Sequence, residues 1–256
     1  MVRRQNSIGT DQENPIIWVE NLDSILNGKK ILSKVSFQAM EGEITAIIGI
    51  SGSGKTTLLK HLLGIYPSRS NSVKVLGINP SELQENREKE FYGQIGVLYQ
   101  EGALLNSMTV GENIGLPLEQ HSSLGPEIIE YMVRGKLRLV NLEHAYHKYP
   151  SELSGGMLKR AAIARAIVMD PPLLFCDEPG AGLDPVSLAR LDNLILELKR
   201  LLGMTVIMVT HEVNSVMRMA DRIVFLEEGR SIYQGTLENA LASDETAMQE
   251  YFSSSV

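Results

Sequence analysis

Short β-branched runs at residues 16–19, 35–39, 44–48, 73–76 and 95–98 alternate with stretches whose apolar residues recur at helical spacing. That alternation predicts an α/β layered fold. Later runs at 173–176, 206–209 and 223–226 are almost wholly apolar. Strands of this kind suit a parallel sheet covered on both faces, where neither side meets water. Between 108 and 170 the pattern changes to helical text, with helices expected over 110–116, over 127–140 and from Ser154 to 169. Leu188, Leu191, Ile195, Leu198 and Leu202 recur at helical spacing and stop before Gly203, which predicts a surface helix docked on a sheet and ended by glycine. The organisation expected is a polar tail over 1–14 and one domain over 15–256. Its α/β core, 15–100 and 170–240, is interrupted by a helical insertion over about 101–169, and a closing helix is expected over about 236–252.

The chain has 256 residues, 43% hydrophobic and 21% charged, enough to bury a core without disulfides or metals. Its 24 Lys and Arg against 31 Asp and Glu leave a net charge of −7, which argues against nucleic acid and against a polybasic hold on anionic lipid. A single cysteine, Cys176, makes an intrachain disulfide impossible and fits a reducing compartment. The polar N-terminus lacks the apolar segment of a signal peptide. The longest apolar stretches, 44–50 and 161–168, fall well short of the roughly 20 residues that span a bilayer. A cytosolic chain that does not cross a membrane is expected.

Candidate chemistry begins at Gly49, Ile50, Ser51, Gly52, Ser53, Gly54, Lys55 and Thr56, which fit G-x-x-x-x-G-K-[ST] between an apolar strand and a helix carrying Leu58, Leu59, Leu62 and Leu63. The glycines let backbone amides turn inward, the helix N-terminus adds positive potential, Lys55 can reach β and γ phosphates, and Thr56 offers a hydroxyl to Mg²⁺. Asp177 and Glu178 close an apolar strand, at the carboxyl end where open α/β sheets bind ligands. Asp177 can hold the metal shell, and Glu178 can orient and polarise an attacking water. By themselves the two are also compatible with an acidic surface pair. Ser154, Gly155 and Gly156 open a helix, although each glycine costs on the order of 1 kcal/mol there relative to alanine. Close approach to an anion compensates for that cost, while Ser154 alone is also an ordinary N-cap. His144 and His147 could share a helix face, but without companion ligands they make no metal site.

Taken in order, Gly49 to Thr56, Gln100, Leu153 to Met157, Asp177, Glu178, Asp184 and His211 resemble the ATP-binding cassette (ABC) ATPases, over about residues 16–235. The resemblance implies a P-loop NTPase fold: a mostly parallel core sheet, an antiparallel β part near the N-terminus and an inserted helical subdomain. It also implies hydrolysis of ATP with Mg²⁺, in a head-to-tail dimer where the phosphate loop of one copy faces the LSGGQ-type segment of the other. By the same resemblance Thr56, Gln100 and Asp177 share Mg²⁺, Glu178 and His211 are catalytic, and Thr57 joins the nucleotide contacts. Ser154, Gly155, Gly156 and Asp184 act across the dimer. The position where the family stacks an aromatic on adenine falls on Leu26, and the LSGGQ-type segment ends in Met157 instead of glutamine.

The segments 100–105, 151–157 and 177–185 are similar to the ATPase subunit of Mla-type phospholipid transporters. That implies a permease and an MCE-domain lipid-binding protein as partners, and a location on the cytoplasmic side of the inner (plasma) membrane, peripheral through the permease. The stretch 104–118, with Met108, Val110, Ile114 and Leu116, either forms an apolar groove for a permease helix or simply packs the helical subdomain. Alternatives are another ABC importer or exporter with non-lipid cargo, and a soluble ABC ATPase of DNA repair or iron–sulfur cluster assembly.

Overall fold

The computed structural model describes residues 15–69 and 71–253, so the expected tail over 1–14 lies outside it. The chain opens with a hairpin of β1 (Pro15–Leu26) and β2 (Lys29–Met40). Asn27 and Gly28 turn it with φ of 50° and 76°, the paired left-handed conformation of a type I′ turn. Register shifts on both sides of Leu22 break the in-out alternation of β1, which explains why only 16–19 reads as a strand in the sequence.

β3 (Ile44–Ile48) is buried at every position and runs through the glycine-rich loop into α1 (Lys55–Leu62). β4 (Val73–Val75), α2 (Glu85–Gly93) and β5 (Ile95–Leu98) follow. Three helices then separate β5 from β6 (Leu173–Asp177): α3 (Val110–His121), α4 (Pro126–Leu139) and α5 (Gly155–Ala166). The remainder is α6 (Pro185–Leu202), β7 (Thr205–Val209), α7 (Val213–Met219), β8 (Arg222–Glu227), β9 (Arg230–Thr236), α8 (Leu237–Leu241) and α9 (Thr246–Ser253).

A six-stranded sheet runs in the order β5-β6-β7-β3-β8-β9 and is parallel except for β9; β2-β1-β4 form a separate antiparallel sheet. The fold class is therefore as expected. The apolar strands feed two cores. Leu174 and Cys176 of β6 and Val206 and Met208 of β7 face the helices α3 to α6, whereas Leu173, Phe175, Ile207 and Val209 face α1 and the antiparallel sheet. Among the described residues no helix is long and apolar enough to cross a membrane.

Two sequence expectations need correction, and one open alternative is decided for two residues. α3 does not stop at 116 but runs through Pro117 to His121, because Val110, Ile114 and Leu118 are all buried on one face and that packing outweighs the lost proline N–H. The same burial removes Val110 and Ile114 from any open groove: both are 0% exposed, so packing of the helices is their role. Finally, 236–252 is two short helices broken between Leu241 and Thr246, with Thr236 capping the first through the Asn239 N–H at 3.2 Å.

Candidate active site

The loop between β3 and α1 folds around its glycines. Gly49 has φ 147°, and a Cβ there would lie 2.1 Å from the Leu226 carbonyl oxygen. Gly54 caps α1 at φ 103°, with Leu32 Cδ2 2.6 Å from where its Cβ would stand. The loop is pinned to the β8–β9 turn by the Gly229 N–H donating to Ser53 O at 3.2 Å. Lys55 lies buried in its own loop, and its ammonium donates to Gly49 O at 2.8 Å and Ile50 O at 3.0 Å. Burial pushes Lys55 below its ordinary pKa, opposed by the nearby Glu178 and Asp177 carboxylates.

Asp177 ends β6, beside β7. Its Oδ1 is buried without a hydrogen-bond partner among the described residues. Burial raises its pKa, the Glu178 charge adds to that, and Lys60 and Lys55 oppose it. Glu178 follows at φ 46°, an uncommon conformation for glutamate that its N–H bond to Val209 O at 2.8 Å holds in place. Its Oε1 lies 2.9 Å from His211 Nδ1, and the His211 backbone N–H donates to Oε2 at 3.3 Å. An ionised carboxylate only accepts, so His211 presents Nδ1–H to it.

Ser51, Gly52, Gly54, Lys55, Thr56, Thr57, Gln100, Glu178, His211 and Ile31 line one cavity of about 520 Å³; Asp177, one residue before Glu178, is not among its lining residues. Ile31, on β2, was missed in the sequence because an aliphatic strand residue carries no chemical signal. Leu26 ends β1 and is not among the lining residues. Ile50 is 62% exposed, and Ser53 is buried within the loop.

The remaining candidates gather elsewhere. Ser154, Gly155, Gly156, Met157 and Asp184 line a second cavity of about 760 Å³ that shares no residue with the first. Ser154 caps α5, accepting from Met157 N at 3.4 Å, and Asp184 caps α6, accepting from Val186 and Ser187 N–H groups at 3.0 Å. The Ser187 hydroxyl, together with those backbone bonds, holds Asp184 below the ordinary carboxylate range. A Cβ on Gly155 or Gly156 would meet nothing within 4 Å.

α5 touches both regions. Lys159 donates from Nζ to Gln100 O, and Arg165 donates from its two terminal nitrogens to Ala103 O at 2.7 Å and Gly102 O at 2.8 Å. Burial lowers the pKa of both. Cations on a helix otherwise rich in buried alanine were the available sequence signal for this grip.

The family model described as ABC transporter matches residues 32–181. The chain belongs to this family. Its relatives include the probable ribonucleotide transport ATP-binding protein mkl of Mycobacterium leprae, 35% identical over 96% of this chain and 72% of that one. Another is the intermembrane phospholipid transport system ATP-binding protein MlaF of Haemophilus influenzae, 36% identical over 92% of this chain and 89% of that one, which bears out the likeness to the Mla type. Among solved structures, cbiO1 from Clostridium perfringens, part of the ABC transporter complex cbiONQ, has a TM-score of 0.81 at 30% identity, covering 91% of this chain and 93% of that one. A dimeric post-hydrolysis state of the ATP-binding cassette MJ0796, bound to ADP and Pi, has a TM-score of 0.77 at 28% identity, covering 86% and 98%. This ABC transporter subunit binds ATP and is an ATPase.

Proposed function

We propose that this chain powers phospholipid movement through a permease partnered by an MCE-domain lipid-binding protein, working head-to-tail with a second copy of itself at the cytoplasmic side of the inner membrane. The observation that carries the pairing is the separation of the two cavities, which have no lining residue in common. One holds a phosphate loop; the other holds a helix N-terminus whose leading glycines nothing in the chain requires. Two anion-binding halves that do not meet within one chain can meet between two. The dimeric form reported for MJ0796 supports that reading.

In this reading the loop amides cradle the phosphates while Lys55 leaves the Gly49 and Ile50 carbonyls for the β and γ phosphates. The buried, partnerless Oδ1 of Asp177 suits a hard cation, so Asp177, Thr56 and Gln100 would hold Mg²⁺. When bound, that ion neutralises phosphate charge. Glu178 orients and polarises the attacking water, and His211 steadies Glu178 and contacts the γ-phosphate. Ser154, Gly155, Gly156 and Asp184 of the second copy close over the nucleotide.

The phospholipid assignment is supported by the Haemophilus relative, whose likeness runs along nearly the whole of both chains. A non-lipid cargo is the second reading, favoured by the mycobacterial relative named for ribonucleotide transport. Purifying the intact complex in mild detergent and identifying its subunits and bound lipid by mass spectrometry separates the two. A permease, an MCE-domain subunit and phospholipid are expected. Absence of both lipid and an MCE-like subunit would favour other cargo, and recovery only as a soluble complex would overturn the transport role.

A further inference from the structure

Asp192 lies in α6 and is 0% exposed, an unusual place for a carboxylate. Its Oδ2 accepts from Ser215 Oγ at 2.9 Å and from Arg218 Nη1, both on α7, while Oδ1 has no partner among the described residues. Arg218 keeps a third of its side chain in solvent, so the ion pair is half open at one end. Burying a charge this deeply is costly unless the pairing serves a purpose, because an apolar residue of similar size would pack as well.

The two helices it ties together begin at different cavities. α6 starts from Asp184, its cap, in the cavity that holds Ser154 to Gly156. α7 is a seven-residue helix whose Glu212 cap makes no side-chain cap bond, and it starts two residues after His211, which lines the other cavity and bonds Glu178. Val213, Val216 and Met219 bury α7 through non-directional contacts, which leave its rotation and slide loosely determined. Asp192 supplies directional bonds on successive turns of α7, at Ser215 and Arg218, and so fixes its register.

We infer that Asp192 is a positioning residue that locks α7 to α6, so that the Asp184 side of one half-site sets where His211 meets Glu178 in the other. The inference rests on the proposed roles of His211 and Glu178. It adds that each half-site reports its state to the other through the α6–α7 clasp. The Asn variant keeps the shape and the Ser215 bond but loses the charge that holds Arg218.

The test is a double-mutant cycle in the full-length chain assembled with its partners, reading ATPase kcat, KM for ATP, the Hill coefficient and thermal melting. Asp192→Asn is expected to lower kcat roughly ten- to hundredfold with KM little changed, and to bring the Hill coefficient toward one. In a His211→Ala background it should cost nothing further in kcat, whereas the two single-variant shifts in melting temperature should add in the double variant. Asp192→Glu should recover part of the loss. If His211→Ala alone leaves kcat unchanged, the proposed role of His211 fails and this inference falls with it. If His211→Ala is slow and the Asp192→Asn loss adds in full to it, the roles stand and Asp192 is only structural. Should Asp192→Asn fail to fold, Arg218→Gln removes the same ion pair from the α7 side. It must then show the same non-additivity with His211→Ala, and full additivity overturns the inference.

Discussion

The Glu178 carboxylate is held at both oxygens by one residue: Oε1 lies 2.9 Å from His211 Nδ1, and Oε2 accepts the His211 backbone N–H at 3.3 Å. Glu178 in turn donates its own N–H to Val209 at the end of β7, two residues before His211. The strained backbone at Glu178 is thus fixed at main chain by the end of β7, and its side chain by His211.

From this, Glu178→Gln should keep the shape and the backbone bond while losing basicity. Turnover is expected to fall by about 10²–10³-fold, with ATP affinity within a few-fold of the parent and ATP-dependent dimerisation retained or strengthened. Phosphate release and gel filtration with ATP check this. Normal turnover would remove Glu178 from its proposed role.

Much of this was legible in the sequence where chemistry and local geometry coincide. The Gly49–Thr56 pattern sits at a strand-to-helix junction, and the α6 stripe of Leu188, Leu191, Ile195 and Leu198 is buried and ends at Gly203 in the left-handed conformation. The elements missed are those defined by tertiary context. β9 is half-buried at every position but the exposed Arg230 and Gln234 and shows no strict alternation, α2 buries only Phe91, and α3 continues through Pro117 because of what it packs against. The Lys159 and Arg165 grip on the 100–103 backbone and the Asp192 clasp join residues tens of positions apart, and no spacing rule reaches them. The division of the candidate residues between two cavities came from the family resemblance, and nothing in residue spacing required it.

Glycine substitutions should separate folding from function. Gly49→Ala drives a Cβ into the Leu226 carbonyl and should destabilise the chain by about 2–4 kcal/mol. Gly155→Ala meets open space and should leave stability unchanged or raise it by up to ~1 kcal/mol, yet lower ATPase turnover if, as proposed, the phosphates bound by the second copy approach that backbone. Thermal melting and turnover together decide. Full turnover in Gly155→Ala would count against close approach at that helix end.

Asp177 gives a pH-dependent test. Burial and Glu178 raise its pKa, so the folded chain holds that proton to higher pH than the unfolded chain does. The stability it contributes is complete below the ordinary carboxylate range and is lost as pH rises through the raised folded value. Asp177→Asn removes this loss: melting should rise at about pH 7 and change little at about pH 4. Millimolar Mg²⁺ should stabilise the parent chain but not the variant. An equal Mg²⁺ shift in both would take Asp177 out of the metal shell.

Recognition of the base follows from what lines the nucleotide cavity. Among the described residues its lining includes Ile31 and a single ring, the His211 imidazole, and does not include Leu26. Stacking on an aromatic ring is worth about 1–3 kcal/mol per base, whereas an aliphatic contact supplies non-directional burial that scarcely distinguishes one purine from another. GTP is therefore expected to be hydrolysed with a kcat/KM within about tenfold of ATP. Ile31→Trp should tighten both nucleotides by about 1–2 kcal/mol, and Leu26→Ala should move neither. Nucleotide titrations with each variant check these values. A preference for ATP beyond about a hundredfold would require a base-reading group outside this lining, supplied by the second copy.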